Sequence, residues 1–312
     1  MRTEADIDAT HDDAGSKPAT PPAPGPPPPG LPAPGLYVVA TPIGNLRDIT
    51  LRALDTLRAA TLIACEDTRV TRTLATAYGL SAPLMACHDH NEAAATERLL
   101  DAWRAGGVVA LVSAAGMPLI SDPGHRVVRA AIEAGCPVTV VPGASAPLAA
   151  LALAGLPSDR FLFAGFLPAR SPDRRRAIGE LADVPATLIW FEAPHRLSES
   201  LDDLADLLGP RPAAMARELT KRFEEVRRGT LTELAAHYRA AERPRGEIVL
   251  LVGPPTAGGT IATPEAIDAA LRAALADTGV KEAAAEVAAR YGKPRREIYA
   301  RALELKRARG ET

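Results

Sequence analysis

Two small-residue loops and one histidine-containing cluster hold the residue types in this chain that could do chemistry. The first loop, SAAGMPLISDPG from Ser113 to Gly124, directly follows an apolar strand pattern. Small residues and prolines let backbone N–H and C=O groups approach a ligand closely, which bulkier side chains prevent. The loop lacks both the glycine spacing of GxGxxG and the Gly-Lys-Ser/Thr ending of a Walker A, so dinucleotide and triphosphate readings are weak. A second loop, VPGASAPLAAL from Val141 to Leu151, also follows a strand and opens a helix. Ala144, Ser145 and Ala146 there leave room for an adenosine or methionine moiety at the helix start; a plain strand-to-helix connection is the alternative. In HDHNE, His88 and His90 share a face if extended, beside Asp89, Asn91 and Glu92. Histidine titrates near neutrality, which makes the cluster a candidate for proton transfer. Glu66, Asp67 and Arg69, and Glu218 with Lys221, are further candidates. Cys87, His88 and His90 could be read as metal ligands, but they lack the loop spacing of structural zinc sites, so no metal is expected.

These residues need a scaffold, and the apolar pattern supplies one. From Leu36, short strands (36–40, 61–65, 84–87, 108–113, 138–141) alternate with helices (51–60, 68–78, 91–105, 124–134). That alternation predicts a mostly parallel α/β sheet, whose ligand loops lie at strand C-termini. After the helix-like run 144–154, strands at 161–166, 186–191, 213–217 and 247–252 have fewer helices between them, those at 171–181 and 196–208. This rhythm predicts a mixed sheet with antiparallel pairs. Three helix-like segments follow a Thr/Gly-rich linker, at 264–276, 281–291 and 294–309. The last two carry more bases (Lys281, Arg290, Lys293, Arg295, Arg296, Arg301, Lys306, Arg307, Arg309) than acids (Glu282, Glu286, Glu297, Glu304). With Gly292 in the turn, they resemble a helix-turn-helix, the alternative being a packed tail with a solvated face.

The expected layout is therefore a disordered Pro/Ala-rich tail over 1–35, α/β domains over 36–152 and 153–256, and a small helical extension over 262–312. The first segment ends in PATPPAPGPPPPGLPAPG, which cannot bury apolar surface. A net charge of −2 excludes a uniformly basic nucleic-acid glove but allows a local patch. Three widely spaced cysteines do not make a disulfide framework and suit a reducing cytosol. The acidic N-terminus has no apolar signal region, and no apolar stretch is long enough to span a membrane. A cytoplasmic location fits these features.

Eight blocks, in order, carry a family resemblance: TPIGNL (41–46), CEDTRVT (65–71), HDHNE (88–92), SAAGMPLISDPG (113–124), GLPSDRF (155–161), GFLP (165–168), FEAPHR (191–196) and ARELTK (216–221). They resemble the RsmI family, the ribosomal RNA small subunit methyltransferase I enzymes of the tetrapyrrole methylase superfamily. The resemblance spans residues 36 to about 254, and the family's helical C-terminal domain matches the basic tail. It implies a two-domain α/β fold, S-adenosylmethionine bound in the cleft, 2′-O-methylation of a cytidine ribose in 16S ribosomal RNA, and a homodimer. On that basis the cofactor residues would be Pro42, Ser113, Ala114, Ala115, Gly116, Pro118, Ile120, Ser121, Gly143, Ala144, Ser145 and Ala146. Two positions depart from the family pattern. Ala114 stands where the family loop reads Ser-Asp-Ala-Gly, removing a carboxylate that would favour a cationic sulfonium, and Ala144 stands where proline is usual.

Methyl transfer to a hydroxyl demands alignment and a proton acceptor. His88, Asn91, Glu218 and Lys221 are the catalytic candidates, with HDHNE favoured. Arg69, Arg196, Arg217, Lys221, Arg295 and Arg296, extended by Arg174 to Arg176, are candidates for phosphate contacts. Two rival functions are a tetrapyrrole methyltransferase on the same fold and an impaired RNA-binding or assembly factor, the latter motivated by Ala114.

Overall fold

A computed structural model describes residue 30 and residues 32–88, 90–255, 264–291 and 293–308. The Pro/Ala-rich tail apart from its last few residues, Asp89, the Thr/Gly-rich linker, Gly292 and Arg309 lie outside the described residues.

The first sheet is built from β1 (Gly35–Val39), β2 (Leu62–Cys65), β3 (Leu84–Ala86), β4 (Val108–Val112) and β5 (Val138–Val141). The strands are all parallel, in the order β3-β2-β4-β1-β5. Helices α1 (Leu51–Ala59), α2 (Thr68–Tyr78), α3 (Glu92–Arg104) and α4 (His125–Glu133) make the crossovers. Local chemistry sets their ends. Thr50 caps α1 by accepting from the Ala53 N–H, Asp67 caps α2, and Gly79 closes α2 in the left-handed region. The central strand β4, VVALV, is buried throughout, as a strand covered by helices on both faces must be. One core packs Leu36, Leu99, Leu111 and Val127 on one face; a second packs Val39, Leu57, Ile63 and Val112 on the other.

α5 (Ala146–Ala154) is apolar on every side and so needs cover all round. Although it leaves the first sheet, its Ala150, Leu151 and Ala154 pack with Ile189, Ala214 and Leu251 of the second. That sheet comprises β6 (Phe161–Phe166), β7 (Thr187–Glu192), β8 (Pro212–Arg217), β9 (Glu225–Thr230) and β10 (Ile248–Val252), in the order β6-β7-β10-β8-β9. Only β6 and β7 run parallel; the other neighbours are antiparallel. Helices α6 (Ser171–Glu180), α7 (Leu197–Leu208) and α8 (Leu231–Ala240) cover its other face around Trp190, Leu201, Leu234 and Leu250. The expected mixed sheet is present, with β9 and α8 as additions. β9 reads EVRRGT and has a half-exposed edge, so it shows no apolar alternation. α8 opens on a capping box formed by Thr230 and Glu233, a signal that its sequence does contain.

Helices α9 (Pro264–Asp277), α10 (Val280–Tyr291) and α11 (Arg295–Ala308) pack on one another around Leu271, Val287, Ile298 and Ala302. The trio is tied by Arg301, whose guanidinium donates to both Asp268 carboxylate oxygens at 2.7 and 2.6 Å. No helix among the described residues is long and apolar enough to cross a membrane.

Candidate active site

The strand register decides where the loops go. Val39 pairs with both Val112 and Val141, so β1, β4 and β5 end level. Their following segments, residues 40–44, 113–124 and 142–145, consequently emerge side by side. Thr41 and Gly116 then exchange backbone hydrogen bonds of 2.9 and 3.1 Å, stitching the first two loops together. The Ser113 hydroxyl donates back to the Gly116 carbonyl at 3.1 Å. Leu119 and Ser121 are held at φ 72° and 67°, conformations that non-glycine residues adopt only under tertiary constraint.

A cavity of about 370 Å³ opens over these loops. Ala114, Ala115, Gly116, Ile120, Ser121, Ser145 and Ala146 line it from the first sheet's side. Phe166, Phe191, Leu219 and Val249 line it from the second. A neighbouring cavity of about 300 Å³ is lined by Thr41, Pro42, Val70, Ser113 and Lys221. Ile43, Ala114, Ala115 and Glu247 line both. Three expected cofactor residues, Pro118, Gly143 and Ala144, line neither. Gly143 has a packing reason instead: a Cβ there would lie 2.9 Å from the Ala40 methyl carbon.

Three carboxylates line the first cavity, and their surroundings separate them. Glu192 is buried and accepts from the Ala193 N–H at 2.6 Å and from Arg196 at 2.7 Å. Arg196, expected on a phosphate, is therefore committed to holding Glu192. Glu247 accepts from Lys221 at 2.9 Å. Asp122 pairs with no cation among the described residues, and its pKa is raised to about 6, by burial first and the Glu66 charge second, against the Ser113 hydroxyl. The wall carries no carboxylate at Ala114, which leaves Asp122 as the ion-pair-free acid of this cavity.

Glu218 and Lys221 do come to the site. Lys221 Nζ donates to Glu218 Oε1 and to Glu247 Oε2, both at 2.9 Å. Glu218 also accepts the Glu247 backbone N–H at 3.1 Å. Burial opposes the charge on Lys221, yet the hydrogen bonds it donates to Glu247 and Glu218 hold its pKa above the usual lysine range. Two glycines make room for this cluster. A Cβ on Gly44 would sit 2.4 Å from Lys221 Cγ, and one on Gly246 would sit 2.3 Å from the Glu218 carboxyl carbon. Glu218 and Thr220 are themselves left-handed, at φ 50° and 66°.

His88 and Asn91 line neither cavity. The Asn91 side chain is spent on its own turn, accepting the His88 N–H at 2.9 Å and donating to the Ala86 carbonyl at 3.0 Å. Glu92, also from this block, is buried and accepts the backbone N–H groups of Gly124 and Arg126, both at 3.1 Å. A carboxylate there caps α4 and anchors the end of the 113–124 loop. The block thus holds the frame of that loop in position.

The cationic residues divide similarly. Arg69 is 89% exposed and pairs with Asp67, sharing an open depression with Arg72 on α2 beside the second cavity. Arg217 pairs with Glu225 at 2.9 Å. Arg295 and Arg296 are exposed at the start of α11. Arg174 corrects its expected role: it is 1% exposed and locked at 2.7 Å to Asp203, where no phosphate reaches it. Arg175 shares the same carboxylate. All three cysteines are free and buried, and burial pushes the Cys87 thiol up to about 11. Among the described residues no cluster of His, Cys, Asp or Glu could hold a metal ion.

Sequence reasoning missed Asp122, Glu192 and Glu247 as cavity residues. The first two lie in blocks already singled out, SDPG and FEAP; Glu247 lies in none.

Comparison with known proteins agrees with this architecture. The family model for tetrapyrrole (corrin/porphyrin) methylases matches residues 35–235, and that for the RsmI C-terminal HTH domain matches residues 261–306. A ribosomal RNA small subunit methyltransferase I of Mesorhizobium japonicum is 53% identical over 277 residues, 88% of this chain and 94% of the relative. Its counterpart from Erythrobacter litoralis is 52% identical over 87% of this chain and 95% of its own. Among solved structures, a Thermus thermophilus uroporphyrin-III-C-methyltransferase is 25% identical with a TM-score of 0.51, covering 70% of this chain and 93% of that one. Diphthine synthase, 18% identical with a TM-score of 0.56 over 71% and 90% of the two chains, shares the fold. The chain belongs to the ribosomal RNA small subunit methyltransferase I family, built on the tetrapyrrole methylase fold.

Proposed function

We propose that this protein uses S-adenosylmethionine to methylate the 2′-hydroxyl of a cytidine in 16S ribosomal RNA, on the small subunit or its RNA. The observation that carries the reading is the pair of cavities sharing the Ala114–Ala115 wall in a chain of this family. A volume of about 370 Å³ suits a nucleoside-sized cofactor. Its lining fits as well: small residues expose backbone polar groups, Phe166 and Phe191 offer apolar faces, and Asp122 offers a carboxylate to a cation.

In this reading Ala114 to Gly116, Ile120, Ser121, Ser145 and Ala146 hold the cofactor, which when bound supplies an electrophilic methyl group. The acceptor nucleotide enters the second cavity, past Pro42 and Val70. Arg69 and the tail residues Arg295 and Arg296 contact phosphates, which positions RNA without reading its sequence. A homodimer and a cytoplasmic location complete the proposal, the first resting on the family resemblance and the second on the three unpaired cysteines.

The test incubates purified protein with labelled S-adenosylmethionine and either small ribosomal subunits or a tetrapyrrole acceptor, then maps the label by mass. Label on a cytidine ribose is the expected result. Label on the tetrapyrrole alone, or on a base, refutes the reading.

A further inference from the structure

We propose that Glu247 is a catalytic residue, accepting the proton of the hydroxyl that is methylated. The inference rests on the assignment of the two cavities to methyl donor and acceptor nucleotide.

Four residues line both cavities, and Glu247 is the only titratable one among them. Transfer between two ligands happens at the wall they share, so a group that acts on the reacting hydroxyl belongs there. Ile43, Ala114 and Ala115 have no side-chain proton acceptor. Asp122 and Glu192 border the first cavity alone.

The side chain is presented for this role. It is 73% exposed in the open cleft. Lys221 holds its Oε2, while Oε1 has no hydrogen-bond partner among the described residues. The support behind it is built in. Lys221 is fixed from its other side by Glu218, which in turn accepts the Glu247 N–H. Gly44 and Gly246 are bare where any Cβ would push this cluster apart. Lys221 itself is held as an ammonium, so it orients the carboxylate and does not take a proton.

In the transfer step the hydroxyl oxygen forms a bond to the methyl carbon, and the carbon–sulfur electron pair leaves with sulfur, which becomes a neutral thioether. The hydroxyl proton passes to Glu247 Oε1 and from there to water. Charge balances, because the cationic sulfonium is neutralised as one proton is released.

The experiment compares wild type, Glu247→Gln and Glu247→Asp as full-length protein. Calorimetry measures S-adenosylmethionine affinity, and single-turnover assays measure methyl transfer to small-subunit RNA. Glu247→Gln should keep cofactor affinity and RNA half-saturation within about threefold while the transfer rate falls by about 100-fold or more. Glu247→Asp, which keeps a shorter acceptor, should recover part of that loss. A transfer rate for Glu247→Gln within about threefold of wild type overturns the role, as does an equal loss in both variants traced to lost cofactor binding. Wild-type protein that binds cofactor but methylates no ribose overturns the underlying reading and this role with it, which separates the two failures.

Discussion

Replacing Asp122 by asparagine should stabilise the protein at alkaline pH and weaken its hold on a cationic methyl donor. Burial and the neighbouring Glu66 charge raise the Asp122 pKa from the ordinary 3.8 to about 6. Each unit corresponds to about 1.4 kcal/mol, so ionising this group in the folded state costs about 3 kcal/mol before screening. The side chain is only half-buried, and solvent screening reduces the figure to about 1–2 kcal/mol. The sign follows from a raised folded-state pKa. Folding is favoured fully below the unfolded value, and that advantage is lost as pH rises through about 6. A carboxamide at this position cannot ionise and escapes the loss. Urea denaturation at pH 8 should therefore show D122N more stable by about 1–2 kcal/mol, with about half that gain at pH 5 and none below the ordinary carboxylate range. Titration calorimetry with S-adenosylmethionine should show weaker binding, since a carboxylate favours the sulfonium. A gain independent of pH, or a variant less stable at pH 8, would refute the reasoning.

Gly246→Ala drives a Cβ into the Glu218 carboxyl at φ +95°, adding crowding to backbone strain, and should cost about 2–5 kcal/mol, whereas Gly79→Ala, left-handed but open, should cost only about 1–2. Thermal melts of both variants separate crowding from backbone strain, and equal losses would show that the close contact does not matter. Glu92→Ala removes the cap of α4 and should destabilise by about 1–2 kcal/mol, with Glu92→Gln milder because it keeps an acceptor oxygen. A urea midpoint unchanged in Glu92→Ala would count against the anchoring role. Asp203→Ala leaves Arg174 buried without its partner and should cost about 3–5 kcal/mol, measured by chemical denaturation. A loss under about 1 kcal/mol would mean that water or Glu199 replaces the carboxylate.

Much of the fold is legible because burial writes itself into local pattern. VVALV and IVLLV are continuous apolar runs because β4 and β10 are covered on both faces. EVRRGT does not read as a strand because an edge strand keeps one side wet and need not alternate. Ala146–Ala154 reads as a helix, but being apolar all round it carries no record of which sheet it covers.

The site divides along the same line. Small-residue loops after strands are readable, since close backbone approach to a ligand requires those residue types wherever the loop ends up. The roles of charged and polar residues are not. His88 and Asn91 are favoured by type, yet Asn91 is spent on its own turn; Arg196 and Arg174 look like phosphate ligands and are bound to Glu192 and Asp203. An ionisable side chain acts according to its partner, and that partner is usually distant in sequence. Glu247 shows this most clearly. It stands 26 residues from Lys221, at the edge of a strand with no motif around it. The sequence by itself determined most strands and helices and the small-residue loops after the strands, β9 and α8 excepted, because those depend on neighbours a few residues away. Only the tertiary structure decided which acids share the cavities and which are neutralised, because pairing energies depend on distance in space.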